Sequence, residues 1–214
     1  MRAAACPGLR RVAQRWKVEA QVPSFTPGIM IATPRGEVPV EQLRPGDRVI
    51  TRDNGIQEIR WAGRRDMGAA AFSKRPALRP VMIAAGALGN GLPEQPMMVA
   101  PGHRVLIANP QLHLYFAESE VLVAARHLLG RRGVHEVSLL STTYLHMTFD
   151  DHEVVLSNGA WTECFQPGDH SVIGSVQRRD LLELYPALET GSQSECPAAA
   201  RRALDQNEAR LFVV

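Results

Sequence analysis

The sequence contains few cysteines and few aromatic residues, and it has no long apolar run. Among its 214 residues are 3 cysteines, and aromatic residues make up 6%. Cys6, Cys164 and Cys196 form no CxxC pair, so we expect reduced thiols rather than a disulfide framework or a zinc knuckle. No apolar stretch reaches the roughly 18 residues that a membrane-spanning helix requires, and we therefore expect no transmembrane segment.

An excess of charge of one sign is also missing. The chain carries 24 Lys and Arg against 22 Asp and Glu, for a formal net charge of +2. A protein dedicated to binding nucleic acid usually shows a clear basic excess, so no nucleic acid partner is expected. Hydrophobic residues make up 45% and charged residues 21%, which is typical of a folded globular protein.

Residues 1–23 form a basic lead. They include Arg2, Arg10, Arg11, Arg15 and Lys17 against the acidic Glu19. The lead lacks the apolar core of a secretory signal, so we expect a cytoplasmic protein. Leu9, Val12 and Trp16 would form an apolar stripe on a helix, and the lead is interpreted either as a surface-binding helix or as a loose tail.

Residues 24–173 show many short apolar runs separated by turn residues. Asp53-Asn54-Gly55 predicts a hairpin between strands at 47–52 and 57–61, because Asn-Gly accepts a positive φ at little cost. Further strands are predicted at 28–32, 81–83, 97–99, 104–107, 142–149 and 153–156, with turns at Asp150-Asp151 and Asn158-Gly159. This spacing predicts an all-β barrel or folded-over sheet. Residues 174–214 hold a helical pattern at 174–190 and a looser tail.

A faint internal repeat lies within the β region. The pattern Val38-x-Val40-x-x-Leu43-x-x-Gly46 returns, with altered spacing, as Val121-x-Val123, Leu128 and Gly130. A single such match is compatible either with a duplicated half or with chance.

Two histidines flank the predicted hairpin turn at Asp150-Asp151. His146, His152 and these carboxylates are residue types that bind metal ions. Polar turn residues and a hydrogen-bonded strand histidine are the simpler interpretation. We therefore expect no metal ion and no cofactor.

Four blocks that occur in order along the chain are its most specific feature. The blocks cover residues 22–28, 36–47 and 99–106, and a fourth covers 144–146 and 150–164. Together they resemble the Hint domain, the Hedgehog/intein self-processing module, and most closely a bacterial subgroup of that family. The resemblance spans roughly residues 22–173 and implies a Hint-like folded-over β-sheet domain over 24–173.

The resemblance implies an autoprocessing reaction at the start of the domain. In Hint domains the first residue, a Cys or less often a Ser, attacks the carbonyl just upstream and converts an amide into a more labile ester. That position falls on Ser24, so the implied scissile bond is Pro23–Ser24 and the chain's own N-terminal segment is the substrate. The family's Thr-x-x-His block falls on Ala100-Pro101-Gly102-His103, which makes His103 the implied acid. His146 lies where the family places a further polar catalytic group.

The chemistry of these residue types supports the implied reaction only in part. A serine hydroxyl is a weak nucleophile that needs an adjacent base or a well-oriented carbonyl. Histidine titrates near neutrality and can both accept and donate a proton. Ala100 stands where the family has a hydroxyl, and losing one such donor costs about two to three decades in rate.

Splicing is not expected from the end of the fourth block. The matching stretch is Thr162-Glu163-Cys164, in which Glu163 has no amide nitrogen to cyclise and Thr162 has no imidazole. Cys164 is expected to be a small buried thiol. We predict N-terminal cleavage without ligation. The alternative, favoured by Ala100 and the short leaving segment, is a catalytically silent Hint fold that serves as a binding or structural module.

Overall fold

The computed structural model describes residues 23–110, 112–165 and 200–210. Within them the strands are β1 (Met30–Thr33), β2 (Gly36–Pro39), β3 (Arg48–Ile50), β4 (Ile56–Glu58), β5 (Trp61–Gly68), β6 (Val81–Ile83), β7 (Met97–Val99), β8 (Arg104–Ala108), β9 (Glu120–Ala124), β10 (Val134–Glu136), β11 (Ser141–Thr148), β12 (Val154–Ser157), β13 (Ala160–Glu163) and β14 (Ala203–Leu204). Three short α-helices are α1 (Ala69–Lys74), α2 (Leu112–Phe116) and α3 (Gln206–Ala209). The predicted all-β class is confirmed. The basic lead up to residue 22 and the helical pattern at 174–190 lie outside the described residues.

The largest sheet has seven strands in the order β14-β9-β8-β13-β12-β1-β2. Adjacent strands in this sheet run antiparallel, except that β14 pairs with β9 in parallel. The inward residues of its strands are mostly β-branched, and Ile31, Val105, Val121 and Val155 have no exposed surface. These side chains suit a pleated, buried surface, and their burial stabilises the fold.

Two similar units lie on either side of the central β12–β13 hairpin in this sheet. The β1–β2 hairpin is followed by a 3₁₀ turn at Val40–Gln42, and the β8–β9 hairpin is followed by one at Ala125–Leu128. These are the segments in which the sequence shows its faint repeat. The repeat therefore coincides with a repeated structural unit.

The two asparagine-glycine turns are confirmed as hairpins. Asp53-Asn54-Gly55 lies between β3 and β4, with Ile50 paired to Ile56, and Gly55 has a φ of 68°. Asn158 and Gly159 join β12 to β13 with φ values of 47° and 79°. Positive φ at both central residues, for which Asn-Gly is favoured, is found in the Asn158-Gly159 turn, whereas in the first turn Gly55 alone has it.

The predicted hairpin at Asp150-Asp151 is wrong. β11 pairs along its whole length with β5, from Ser141 opposite Gly68 to Thr148 opposite Trp61, while β12 pairs with β13 and β1. The chain thus crosses from one sheet to another after β11. The long ladder with β5 satisfies backbone groups that a hairpin with β12 would have used. Asp150 instead forms an ion pair with Arg60.

None of the helices within the described residues is long and apolar enough to cross a membrane.

Candidate active site at Ser24

Ser24 is positioned by two strands that lie on either side of it. The Phe25 N–H donates to the Leu145 carbonyl and the Leu145 N–H donates to the Phe25 carbonyl, both at 2.9 Å. Phe25 also bridges to Val99 at the end of β7. Because both pairings are antiparallel, Ser24 lies opposite His146 on β11 and opposite Ala100 after β7, with side chains on one face. The Ala100 N–H donates to the Ser24 carbonyl at 3.0 Å.

One ring nitrogen of His146 contacts both partners of the scissile bond that the sequence implies. His146 Nδ1 lies 3.2 Å from Ser24 Oγ and 3.2 Å from the Pro23 carbonyl oxygen. Ser24 and His146 are buried, with exposed fractions of 2% and 8%. The tautomer decides whether Nδ1 accepts from the hydroxyl or donates to the carbonyl. The nitrogen is therefore placed either to act as a base or to polarise the carbonyl.

Burial controls the charge of His146. Removal from water lowers its pKa to about 4; the hydrogen bond that the protonated ring donates to the Pro23 carbonyl opposes that shift, and the charge of Arg65 adds to it. The imidazole is therefore neutral at neutral pH, as a general base must be.

His103 is buried beside the site but does not contact Ser24 through a hydrogen bond in the described part of the chain. The backbone N–H of His103 donates to the Ala100 carbonyl at 2.9 Å and closes a turn. The rings of His103 and Phe25 pack edge to face, with 4.5 Å between their centroids. Neither ring nitrogen has a hydrogen-bond partner within the described residues. Burial, with smaller effects of Arg104 and His146, lowers the pKa of His103 to about 3.

Ala100 presents a methyl group where it lies opposite Ser24. It belongs to a small buried cluster with Met67, Phe72, Leu78 and Tyr144. The only polar side-chain group of that cluster, the Tyr144 hydroxyl, donates to the Leu78 carbonyl at 2.5 Å. The cluster therefore offers no hydroxyl to the Pro23–Ser24 peptide.

The C-terminal end of the Hint-like region, around Glu163, contains a buried charged group. Glu163 is 1% exposed and accepts from Arg104 Nη1 at 2.7 and 2.8 Å. His152 Nε2 lies 2.9 Å from the same carboxylate, and His152 Nδ1 accepts the Ala200 N–H at 3.0 Å. Cys164 is fully buried, which raises the pKa of its thiol well above the ordinary value.

His146 and His152, which flank one predicted turn in the sequence, contact different groups in the structure. His146 faces Ser24, whereas His152 faces Glu163. No three histidine, cysteine or acidic side chains between residues 23 and 165, or in 200–210, are grouped so that they could hold a metal ion; residue 111 lies outside this search.

The structure brings Ser24, Pro23 and His146 together. It places the His103 ring against the ring of Phe25, the residue that follows Ser24. Sequence reasoning gave His103 priority because it stands in a recognisable block. The pairing of Phe25 with Leu145 is what sets Ser24 opposite His146. Nothing in the local sequence of Phe25 indicates which strand it will join.

Comparison with known proteins places the chain in a family. The Hint domain family model matches residues 23–169, so the chain belongs to the Hint domain family. The membership supports a self-processing module. No curated protein matches the chain.

Three solved structures show low likeness to the chain. A bacterial intein-like domain from Clostridium thermocellum is 15% identical, with a TM-score of 0.45, covering 66% of this chain and 98% of its own. The gp41-1 intein is 11% identical, with a TM-score of 0.40 and coverage of 65% and 97%. The MchDnaB-1 intein is 12% identical, with a TM-score of 0.40 and coverage of 66% and 98%.

Proposed function

We propose that this Hint domain cleaves its own chain at Pro23–Ser24 by an N-to-O acyl shift followed by hydrolysis, without splicing. The observation that carries the proposal is the shared contact of His146 Nδ1 with Ser24 Oγ and the Pro23 carbonyl oxygen, each at 3.2 Å. Nucleophile, base and acceptor carbonyl are thus adjacent, and the side chains of Ser24 and His146 are buried. A preorganised site of this kind lowers the barrier by orienting the reacting groups.

In the first step the Ser24 hydroxyl attacks the Pro23 carbonyl carbon. His146 Nδ1, unprotonated, takes the hydroxyl proton as the carbon–oxygen bond forms. The tetrahedral intermediate then collapses by breaking the bond between the Pro23 carbonyl carbon and the Ser24 nitrogen. That nitrogen needs a proton to leave as an amine. The product is an ester that joins the Pro23 acyl group to Ser24 Oγ.

His103 is the proposed donor of that proton, and its surroundings limit how well it serves. Its unpartnered, buried ring is free of competing hydrogen bonds among the described residues. Its pKa of about 3 makes the protonated ring scarce at neutral pH. We therefore expect a slow acyl shift. In the second step water attacks the ester carbonyl carbon, and the bond between that carbon and Ser24 Oγ breaks. One proton of the water passes to Ser24 Oγ and the other is released to solvent, which leaves a Pro23 carboxylate and a chain that begins at Ser24.

A catalytically silent Hint fold that serves as a binding or structural module is the second candidate. Ala100 favours it, because a methyl group lies opposite Ser24 where a hydroxyl would hold the scissile peptide. The low pKa of His103 acts in the same direction.

Intact-mass spectrometry of the purified full-length chain tests the proposal. We expect a time-dependent fragment that begins at Ser24, and none from the Ser24→Ala variant. Ser24→Cys, incubated with a small thiol, should cleave faster, because sulfur is the better nucleophile and a thioester is more labile. If a folded Ser24→Cys protein keeps its full mass, the cleavage proposal fails and the catalytically silent fold is the candidate that remains.

A further inference from the structure

His146 occupies a strand position whose cross-strand partner has no side chain. Gly63 lies directly opposite His146 in the ladder of β5 with β11, and such partners project to the same face. A methyl group on Gly63 would overlap three ring carbons of Trp61. Trp61 is two residues before Gly63 and so projects to that face too. Its indole therefore fills the space beside His146 that a side chain at position 63 would take.

The ring of Phe165 packs against both the indole of Trp61 and the imidazole of His146. Its ring lies 5.8 Å from that of His146 at 67°, and 6.2 Å from that of Trp61 at 47°. The Phe165 N–H donates to the Met147 carbonyl at 3.2 Å, which holds the ring beside β11. Trp61 and Phe165 are 6% and 2% exposed, so these rings keep water away from His146.

We infer that Gly63, Trp61 and Phe165 are positioning residues for His146. Gly63 leaves room for the indole, and the two aromatic rings hold the imidazole with Nδ1 toward Ser24 Oγ and the Pro23 carbonyl oxygen. The connection to cleavage rests on the proposed function, whereas the effect on the imidazole is measurable without any cleavage. Displacing a reacting group by about 1 Å can cost on the order of 10²-fold in rate.

Removing the aromatic cover has a defined effect on the imidazole. Among the described residues, the charged and titratable groups that face it are Arg65 on β5, His103 and, two residues earlier on the same face of β11, Tyr144. Burial is the main cause that lowers the pKa of His146. If the indole moves away and water enters, that pKa must rise toward its ordinary value.

The first experiment follows the His146 ring by NMR titration in the full-length chain carrying Ser24→Ala, which keeps the Pro23–Ser24 bond intact. Gly63→Ala is compared with Gly68→Ala, a matched control on the same strand where an added methyl group meets no atom within 4 Å. We expect Gly63→Ala to raise the pKa of His146 by roughly one unit or more and Gly68→Ala to leave it unchanged. Phe165→Leu provides a second test that adds no bulk to β5, and it should shift the titration in the same direction.

Melting temperatures separate positioning from a purely structural role. If Gly63→Ala and Phe165→Leu lower the melting temperature but leave the His146 titration where it was, the positioning inference is overturned. If Gly63→Ala fails to fold, the titration of Phe165→Leu decides alone.

The second experiment measures cleavage in chains that keep Ser24. We expect Gly63→Ala to cleave about tenfold more slowly than Gly68→Ala, since a misplaced base loses orientation. Equal rates with an unshifted His146 titration contradict the inference. A shifted titration in a parent chain that never cleaves upholds the positioning of His146 and refutes the proposed function, so the two failures are distinguishable.

Discussion

The two ends of the Hint region contain the same kinds of residues, but their histidines contact different groups. At the start, His146 contacts a hydroxyl and a peptide carbonyl, and no carboxylate contact of its ring is seen in the described part of the chain. At the end, His152 lies against the buried carboxylate of Glu163, which Arg104 also holds through both oxygens. One histidine faces the two groups that would react under the proposed function, whereas the other lies against a carboxylate that an arginine already holds.

Under the proposed function, this difference suits the first end to chemistry and the far end to stability. Buried ionic groups that are fully paired hold a structure in one arrangement, and breaking such a pair is costly. A buried neutral imidazole next to a hydroxyl has no such partner to lose, and it can accept a proton during attack. The comparison therefore predicts cleavage at Pro23–Ser24 and no reaction at Glu163–Cys164.

The largest expected effect comes from exchanging the two histidines for glutamine one at a time. His146→Gln should reduce the cleavage rate by about 10²- to 10⁴-fold, since the proposed general base is lost. His152→Gln should leave cleavage within a few-fold of the parent while lowering the melting temperature. Both rates are measured by intact-mass spectrometry over time. Equal loss of cleavage in the two variants would remove the distinction between the ends.

The next largest effect is a gain in cleavage rate from a substitution at Ala100, which lies opposite Ser24. Ala100→Ser restores a hydroxyl beside the scissile peptide with little added volume, and should speed cleavage by about 10²-fold. The same substitution at Ala160, which is also buried but lies on β13 of the seven-stranded sheet, is the control and should not change the rate. No acceleration from Ala100→Ser would mean that a hydroxyl here does not assist the reaction.

Much of the fold follows from local sequence, but the site does not. The sequence predicts the Asn-Gly turns and the short apolar runs at β6 and β7 at their observed positions, because turn chemistry and β-branched side chains act locally. The pairings of β11 with β5 and of Phe25 with Leu145 connect residues far apart in the chain. No local pattern encodes those pairings, and they decide that His146 meets Ser24 and that Asp150-Asp151 is not a hairpin turn.

The free energy of unfolding should depend on pH through His103 and His146, the two buried imidazoles near Ser24. Burial lowers the pKa of His103 to about 3 and that of His146 to about 4, below the ordinary value of 6.5. The unfolded chain therefore binds more protons between these values, and the free energy of unfolding falls as the pH drops from about 6.5 toward 4, by about 1.4 kcal/mol per pH unit for each group.

Chemical denaturation at several pH values, carried out on the Ser24→Ala variant, measures this dependence. His103→Asn should reduce the slope, whereas substitution of the exposed His113 should leave it unchanged. A slope that is the same in all three proteins would show that the buried histidines do not carry the pH dependence.

The smallest effect is expected at the far end. Glu163→Asn introduces an amide that can in principle cyclise, yet the preceding residue is Thr162, which has no imidazole to assist. We expect no product that joins the segment ending at Pro23 to Cys164, and no break after residue 163, in intact-mass spectra of the folded variant. A ligated peptide would show that the far end retains splicing chemistry.

Trapping the ester with hydroxylamine tests the central claim most directly. Hydroxylamine attacks an ester between the Pro23 acyl group and Ser24 Oγ and leaves a hydroxamate on Pro23, whereas a contaminating protease leaves a carboxylate. The account predicts a fragment of residues 1–23 ending in a hydroxamate from the parent chain and none from Ser24→Ala. An unchanged full-length mass in hydroxylamine, with the protein folded, would contradict it.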